Sequence, residues 1–300
     1  MKRREGNLRK QVAMSKIAIL TDSVASIPER LLKELNIHTV AYYIHRGQEV
    51  LRDLVTVQRD EFLRWLATAT SLPTTACPGP GDYLEKYAQL AAAGFDAILS
   101  LHITSKGSGA YQAARTAQAL AAEQFPNVRI EVIDTLNVSL CQGWMVIEAA
   151  RAALAGLSVT EIMAQVKRMI PVTRMIQTAD TLKYLYLGGR IGRAQHLVGS
   201  LLNIKPLISM ADGVIVSLGT ARSRQRAYQM MVEAVCRAVG PLGRIKIAYV
   251  HAGALEEIAK LKALIESQLT CVETLTAELS PALAVHTGPG TAGLCYYPVE

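Results

Sequence analysis

Short runs of apolar residues alternate with longer segments of helical periodicity along the first half of the chain. Apolar runs of this length that end in small polar residues are typical of buried parallel strands. The pattern predicts strands over residues 16–20, 37–43, 97–103 and 128–133. It predicts helices from residue 28 and over 60–69, 83–93, 110–122 and 138–154, with a Pro- and Gly-rich loop over 72–82. We therefore expect a mostly parallel α/β sheet in this half.

The second half of the chain begins near Leu157 and Ser158, and this segment is predicted to contain a linker and a helix cap. A turn at Asp212 and Gly213 between two apolar runs predicts a β-hairpin. The remaining pattern predicts strands over 172–177, 245–251 and 272–275, and helices over 179–187, 223–239 and 255–268. The chain is therefore expected to form two α/β domains, residues 16–157 and 158–300.

Composition and charge narrow the classes of protein that fit. Half of the 300 residues are apolar, which is enough for a sizeable core, and no apolar run is long enough to span a membrane. Residues 1–16 carry +5 of the net charge of +7. We expect a disordered basic tail over residues 1–15 and no nucleic-acid binding by the folded part. The five dispersed cysteines argue against a zinc site or a disulfide framework and favour a reducing, cytoplasmic setting.

The segment from Thr104 to Gly109 joins the strand predicted over 97–103 to an Ala-rich helix. A hydroxyl-rich, Gly-flanked turn at this point offers backbone N–H groups, hydroxyl donors and the positive end of a helix dipole. Such a turn binds a carboxylate or a phosphate well, and ligands of open α/β sheets bind at this edge. An alternative interpretation, that Ser108 only caps its helix, stays open from this segment alone.

Other candidate motifs have competing interpretations. Residues 288–293 match G-x-G-x-x-G, but too few residues follow for a dinucleotide-binding unit. Ser108 with His286 would suit a serine hydrolase, although no G-x-S-x-G surrounds any serine. Arg190 follows two glycines, where it would either bind an anion or simply follow a helix cap. Thr74 and Thr75 would be either turn residues or ligand-binding residues. No metal-ligand cluster stands out.

Taken in order, several segments resemble the DegV family of bacterial fatty-acid-binding proteins. The resemblance extends from Lys16 to Pro298, and each segment is weak by itself. The segments are ILTDS at 19–23, PTT at 73–75 with PGPGD at 78–82, ITSKGSGAYQ at 103–112, LKYL at 182–185 with GGRI at 188–191, NIKP at 203–206 and HTGPG at 286–290.

The resemblance implies two α/β domains with a ligand cleft between them that holds one long-chain fatty acid. It also implies that the protein is a carrier and not an enzyme, that it needs no cofactor, and that a separate fatty acid kinase converts the presented acid to an acyl-phosphate. The implied residues are Thr75, Ser108, Gly109 and His286 on the carboxylate, with Thr74, Arg190 and Ser23 in the head-group vicinity.

The chain departs from the family pattern beside the predicted head group. Ala76 and Cys77 stand where Ser-Gln is usual, and Gly107 stands where a bulkier apolar residue is common. These departures leave open the chain length and unsaturation of the ligand. Two other functions are retained as hypotheses, a serine-type acyl hydrolase that uses Ser108 and His286, and a phosphate- or nucleotide-binding regulator.

Overall fold

The computed structural model describes residues 16–200, 204–240 and 243–299, without the side chains of 198–200. The predicted basic tail, residues 1–15, lies outside the described residues. The first part of the chain forms β1 (Ile17–Asp22), α1 (Glu29–Glu34), β2 (Ile37–Val40), β3 (Tyr43–Arg46), β4 (Glu49–Arg52), α2 (Arg59–Thr68), β5 (Thr74–Ala76), α3 (Pro80–Ala92), β6 (Ala97–His102), α4 (Ala110–Gln124), β7 (Arg129–Asp134) and α5 (Ser139–Leu154).

The second part of the chain begins with another helix and ends on a strand. Its elements are α6 (Val159–Met169), β8 (Arg174–Thr178), α7 (Lys183–Leu187), β9 (Lys205–Ala211), β10 (Val214–Ala221), α8 (Arg224–Val239), β11 (Arg244–His251), α9 (Leu255–Glu266), β12 (Thr270–Glu278), α10 (Pro281–Thr287) and β13 (Ala292–Val299). Short 3₁₀ segments lie at Ser23–Ala25 and Gly192–Ser200.

The first sheet is four-stranded and parallel, with the order β2-β1-β6-β7. Its central strand β6 is buried along its whole length because helices cover both faces of a parallel sheet. This confirms the parallel α/β sheet predicted for the first half. Because β2 and β6 lie on opposite sides of β1, the loops after β1 and β6 diverge there and leave a crevice at the carboxyl ends of the strands.

A second, three-stranded antiparallel sheet, β4-β3-β5, was not predicted from the sequence. The strand predicted over 37–43 ends at Val40, and a new strand begins at Tyr43. Residues 74–76, predicted as part of a loop, pair with β3 as a short strand. Helix α3 also begins three residues earlier than predicted, at Pro80, since proline suits the first turn of a helix.

The third sheet comes from the second half and is mixed, with the order β10-β9-β8-β13-β11-β12. The β9–β10 hairpin is confirmed, with Asp212 and Gly213 in left-handed conformations at its turn. The C-terminal segment, which was assigned no element, forms α10 and the central strand β13. The G-x-G-x-x-G segment thus follows a helix and precedes a strand, which is the reverse of the dinucleotide-binding order.

Helix α5 joins the two halves of the molecule. Twelve of its residues are buried, including Trp144, as expected for a helix that is apolar on all sides. The Trp144 indole donates to the Cys295 carbonyl on β13 at 3.2 Å, and its ring packs edge-on against Tyr297. The boundary at residue 157 stays a prediction. No helix among the described residues is both long and apolar enough to cross a bilayer.

Candidate functional site

A cavity of about 390 Å³ lies between the first sheet and the elements of the second half. Its walls combine the loops after β1, β6 and β7 with α10, strand β8 and the β9–β10 hairpin. Most of the lining side chains are apolar, and a few polar groups converge in it, as is usual for small-molecule sites. The lining includes four residues that the sequence predicted as ligands, Thr75, Ser108, Gly109 and His286, and also Arg190.

One polar pair in the cavity wall is formed by Ser108 and Tyr42. The Ser108 hydroxyl lies 2.6 Å from the Tyr42 hydroxyl and also accepts from the Ala110 N–H at 3.3 Å. Ser108 thus contacts the first turn of α4 and the cavity, and Gly109, not Ser108, occupies the N-cap position of this helix. Burial holds the pKa of Tyr42 well above its usual value. The phenol therefore stays protonated and available as a donor.

A second polar pair joins β5 to α10. The Thr75 hydroxyl lies 2.7 Å from Nε2 of His286, and Nδ1 of that histidine is buried without a hydrogen-bond partner. Burial, with a smaller contribution from the Arg190 charge, lowers the pKa of His286 to about 4. The imidazole is therefore neutral at pH 7. A Cβ on Gly188 would overlap Nδ1, so the glycine is needed for this close approach.

Arg190 supplies a cation near both polar pairs. Its charge acts on the pKa of His286 and on that of Tyr42. The guanidinium is exposed, donates to the Gly188 carbonyl at 2.7 Å, and forms no ion pair with any residue of the described ranges. An anion in the cavity would therefore meet neutral donors and the positive charges of Arg190 and of Lys106, which also lines the cavity.

Two of the predicted head-group residues lie elsewhere. Ser23 does not line this cavity; its hydroxyl donates to Asp53 at 2.6 Å and accepts from the Tyr42 N–H at 3.1 Å. Thr74 is exposed and pairs with His45 of β3. Ser23 thus contacts the site indirectly, through the backbone of Tyr42 and through Asp53. Cys77 and Gly107, the departures from the family pattern, do line the cavity.

Tyr42 was not predicted as a site residue, because its position in a predicted strand gave no sign that the strand ends at Val40. The sequence analysis also missed Thr287, whose buried hydroxyl lines the cavity without a partner. The signal for Thr287 was its place beside His286. No cluster of three or more potential metal ligands occurs among the described residues.

Asp53 holds together three parts of the site from outside the cavity. Its fully buried carboxylate accepts from Ser23 and, at 3.1 Å, from the Ala282 N–H at the start of α10. Its own N–H donates to the Tyr42 carbonyl. One carboxylate therefore positions the segment that carries Tyr42 and the helix that carries His286.

Asp53→Asn should remove a pH dependence of stability. Burial raises the pKa of Asp53 to about 6, opposed by hydrogen bonds from Ser23, Ala282 and Ser280 and by the Arg59 charge. The folded protein thus retains a proton that the unfolded chain loses near pH 4. The contribution of Asp53 to the free energy of unfolding should therefore fall between about pH 4 and 6, by on the order of 3 kcal/mol. The lowered pKa of His286 acts in the opposite direction over this range in both proteins, so the test is the difference between them. From pH 4 to pH 6, urea unfolding should show a change in the free energy of unfolding that is about 3 kcal/mol more favourable in Asp53→Asn than in the wild type; an equal change in both would contradict it.

Comparisons with known proteins agree with this architecture. Residues 16–299 match the family model described as "Uncharacterised protein, DegV family". A DegV domain-containing protein of Deinococcus radiodurans is 34% identical over 285 residues, which cover 95% of this chain and 99% of that protein.

Two solved structures share the fold over nearly the whole chain. A fatty-acid-binding DegV family protein from Thermus thermophilus is 32% identical, with a TM-score of 0.88 over 95% of this chain and 100% of that one. A stearic-acid-binding protein from Eubacterium ventriosum is 26% identical, with a TM-score of 0.86 over 95% and 98%. The extent of these matches and the order of the shared elements lead to one conclusion: the chain belongs to the DegV family.

Proposed function

We propose that the chain binds one long-chain fatty acid in the cavity between its two halves, with the carboxylate at Thr75, Ser108, Gly109 and His286. The observation that carries the proposal is that two polar pairs, Tyr42 with Ser108 and Thr75 with His286, line the same largely apolar cavity. The binding of fatty acids by the two structural neighbours supports the same ligand class.

The two pairs act as relays of hydrogen bonds to an anion. When the Tyr42 phenol donates to Ser108, the Ser108 proton is available for a ligand oxygen. When Nε2–H of neutral His286 donates to Thr75, the Thr75 proton is available in the same way. Arg190 balances the ligand charge at the edge. Burial of the acyl chain stabilises the complex by roughly 0.8 kcal/mol per CH₂ before ordering costs.

The hydrolase hypothesis receives less support from the geometry. Ser108 and His286 each bond to another residue, and no hydrogen bond joins the two. Nδ1 of His286 also has no acidic partner to orient the ring. A serine nucleophile requires an adjacent base that is itself oriented. We therefore infer a carrier and not an enzyme. A phosphate or a nucleotide has no long apolar segment, so binding of such a ligand would leave most of the cavity wall without a role.

Titration of the delipidated protein with palmitate tests the proposed ligand class. Calorimetry should show one site per chain, and mass spectrometry should detect one fatty acid on the protein before delipidation. Val214→Trp should abolish binding, because Val214 lines the cavity and a larger side chain takes up its space. Leu218→Trp, at an exposed position of the same strand, should bind normally. Absence of binding to the wild type would contradict the proposal, as would equal binding to Val214→Trp.

Presentation of the bound acid to a fatty acid kinase is the second part of the proposal. It is supported by the exposure of Gly109 and Arg190, since a carboxylate bound beside them would lie near the surface. Addition of the palmitate-loaded protein to a bacterial fatty acid kinase with ATP should yield acyl-phosphate, detected as the hydroxamate. Equal product from free palmitate without the protein would contradict presentation.

Thr104→Val should accelerate ligand exchange. The Thr104 hydroxyl donates at 2.8 Å to the carbonyl of Gly213, at the turn of the hairpin that covers the cavity. Loss of one such bond is worth about 0.5–1.5 kcal/mol, so stopped-flow dissociation should be about two- to tenfold faster. Thr173→Val removes a buried hydroxyl that donates at 2.8 Å to the Met169 carbonyl, outside the cavity lining, and serves as the control. Equal acceleration in both variants would contradict a role for the hairpin.

A further inference from the structure

The cavity wall contains a polar side chain with no partner on strand β8. Gln177 is only 3% exposed, and its amide forms no hydrogen bond with any residue in the described part of the chain. Met175 and Gln177 line the cavity, whereas Ile176 between them packs into the core on the other face of the sheet. The strand alternation therefore directs the Gln177 amide to the cavity.

The neighbouring strands leave room for this amide. Gly293 lies opposite Gln177 on β13, and a Cβ there would overlap the Gln177 side chain. Ile208 lies opposite on β9 and lines the cavity as an apolar neighbour. The Gln177 amide thus lies on a central strand between a glycine on one side and an aliphatic side chain on the other. Neither neighbour offers a side-chain group that could form a hydrogen bond with it.

A second unpartnered polar group lies in the same lining at the start of α5. Ser139 is 1% exposed, and its hydroxyl oxygen is buried with no hydrogen-bond partner. Its φ of +56° is a conformation that a non-glycine residue adopts at a cost. The first turn of α5 also has no side-chain cap. Neither Ser139 nor Gln177 bonds to Thr75, Ser108 or His286, so the two do not belong to the carboxylate relays.

Unpaired polar groups in an apolar wall point to a polar partner that the protein itself does not supply. Burial of an amide or a hydroxyl without a hydrogen bond is unfavourable, and the rest of this wall includes Val138, Met175 and Met210. A hydroxyl on the ligand both donates and accepts. It therefore matches the Ser139 hydroxyl and the two polar atoms of the Gln177 amide. A plain alkyl chain would leave both residues unpaired.

We propose that Gln177 and Ser139 form a subsite for one hydroxyl group on the acyl chain, so that the preferred ligand is a hydroxy fatty acid. This inference rests on the proposed binding of a fatty acid in the cavity. The carboxylate relays fix one end of the ligand, so the subsite selects the position of the hydroxyl along the chain as well as its presence.

Competition binding of stearate and three hydroxystearates to the delipidated wild type tests the inference. One hydroxystearate carries the hydroxyl near the carboxyl group, one near mid-chain and one near the methyl end. One positional isomer should bind about tenfold tighter than stearate, as two added hydrogen bonds allow. Ser139→Ala and Gln177→Leu should each remove most of that preference, and neither should bind stearate more weakly than the wild type, because each removes a polar group that stearate leaves unpaired. Ser105→Ala, at an exposed serine outside the lining, should keep the preference.

The outcomes separate this inference from the proposed function. If neither stearate nor any hydroxystearate binds, the proposed function fails. If stearate binds and no hydroxy isomer binds tighter, the subsite is overturned, and a bound water is then the partner of these side chains. A preference that survives both Ser139→Ala and Gln177→Leu also overturns it. The wild-type comparison decides the question even if a variant fails to fold.

Discussion

Ser108→Ala should lower the affinity for palmitate by about tenfold to a hundredfold. In the proposed complex the Ser108 hydroxyl donates to the ligand carboxylate, and a hydrogen bond to a charged group is worth about 1.5–3 kcal/mol. The change also leaves the buried Tyr42 phenol, now 2.6 Å from Ser108, without its partner. Calorimetric titration of the delipidated variant measures the loss directly.

Two comparisons show whether the loss arises at the carboxylate. Ser105→Ala makes the same change in the same loop at an exposed position outside the lining, and its affinity should equal that of the wild type. Methyl palmitate lacks the anionic charge, so Ser108→Ala should weaken its binding less than that of palmitate. Unchanged palmitate affinity in Ser108→Ala would show that the carboxylate is bound elsewhere.

Trp144→Ala should lower the free energy of unfolding by about 3–5 kcal/mol. Trp144 is fully buried in α5 and contacts β13 through Cys295 and Tyr297. Its removal leaves a cavity between the two halves of the molecule. Because α5 packs against the first sheet and against β13 of the third sheet, wild-type urea unfolding followed by circular dichroism should show a single transition.

Trp65→Ala provides the matched control for this loss. Trp65 is the other tryptophan of the chain, only partly buried on α2, so its removal should destabilise the protein less. Trp144→Phe keeps an aromatic ring and should retain part of the stability. A loss below about 1 kcal/mol in Trp144→Ala, or two separate wild-type transitions, would contradict the structural role assigned to α5.

The sequence predicted the parts of the fold that depend on local patterns. Strands β1, β6 and β7 are apolar runs with turn residues at their ends, and the turn at Asp212 and Gly213 is encoded by its own residues. The small sheet was missed because β5 lies between prolines and pairs only with the distant strand β3. Long-range pairing of this kind leaves little trace in local propensity.

The candidate site shows the same division between local and long-range information. Thr75, Ser108 and His286 belong to recognisable segments and line one cavity. Tyr42 reaches that cavity because a tertiary hydrogen bond from its N–H to Ser23 accompanies the end of β2 at Val40. Ser23 was predicted near the head group, and in the structure it contacts the backbone behind Tyr42. Gln177 carried no signal, since its lack of a partner depends on the two strands that flank β8.

The departures from the family pattern also gain a physical meaning. A Cβ on Gly107 would lie 3.2 Å from the Thr104 methyl group, beside the residue that holds the hairpin. A Cβ on Gly109 would lie 3.2 Å from the Cys77 sulfur. Cys77 and Gly107 therefore shape the cavity beside the predicted head group, where a usual family residue would take up more space.

A crystal structure of the delipidated protein soaked with palmitate would show where the carboxylate binds. We expect one ligand per chain, with its carboxylate oxygens within hydrogen-bond distance of Ser108 Oγ and Thr75 Oγ1 and its alkyl chain along the apolar wall. Tyr42 and His286 should still contact the two hydroxyls. Two results would contradict the proposed binding mode. In one, the carboxylate is bound away from both hydroxyls; in the other, the cavity is empty and the ligand is bound elsewhere on the protein.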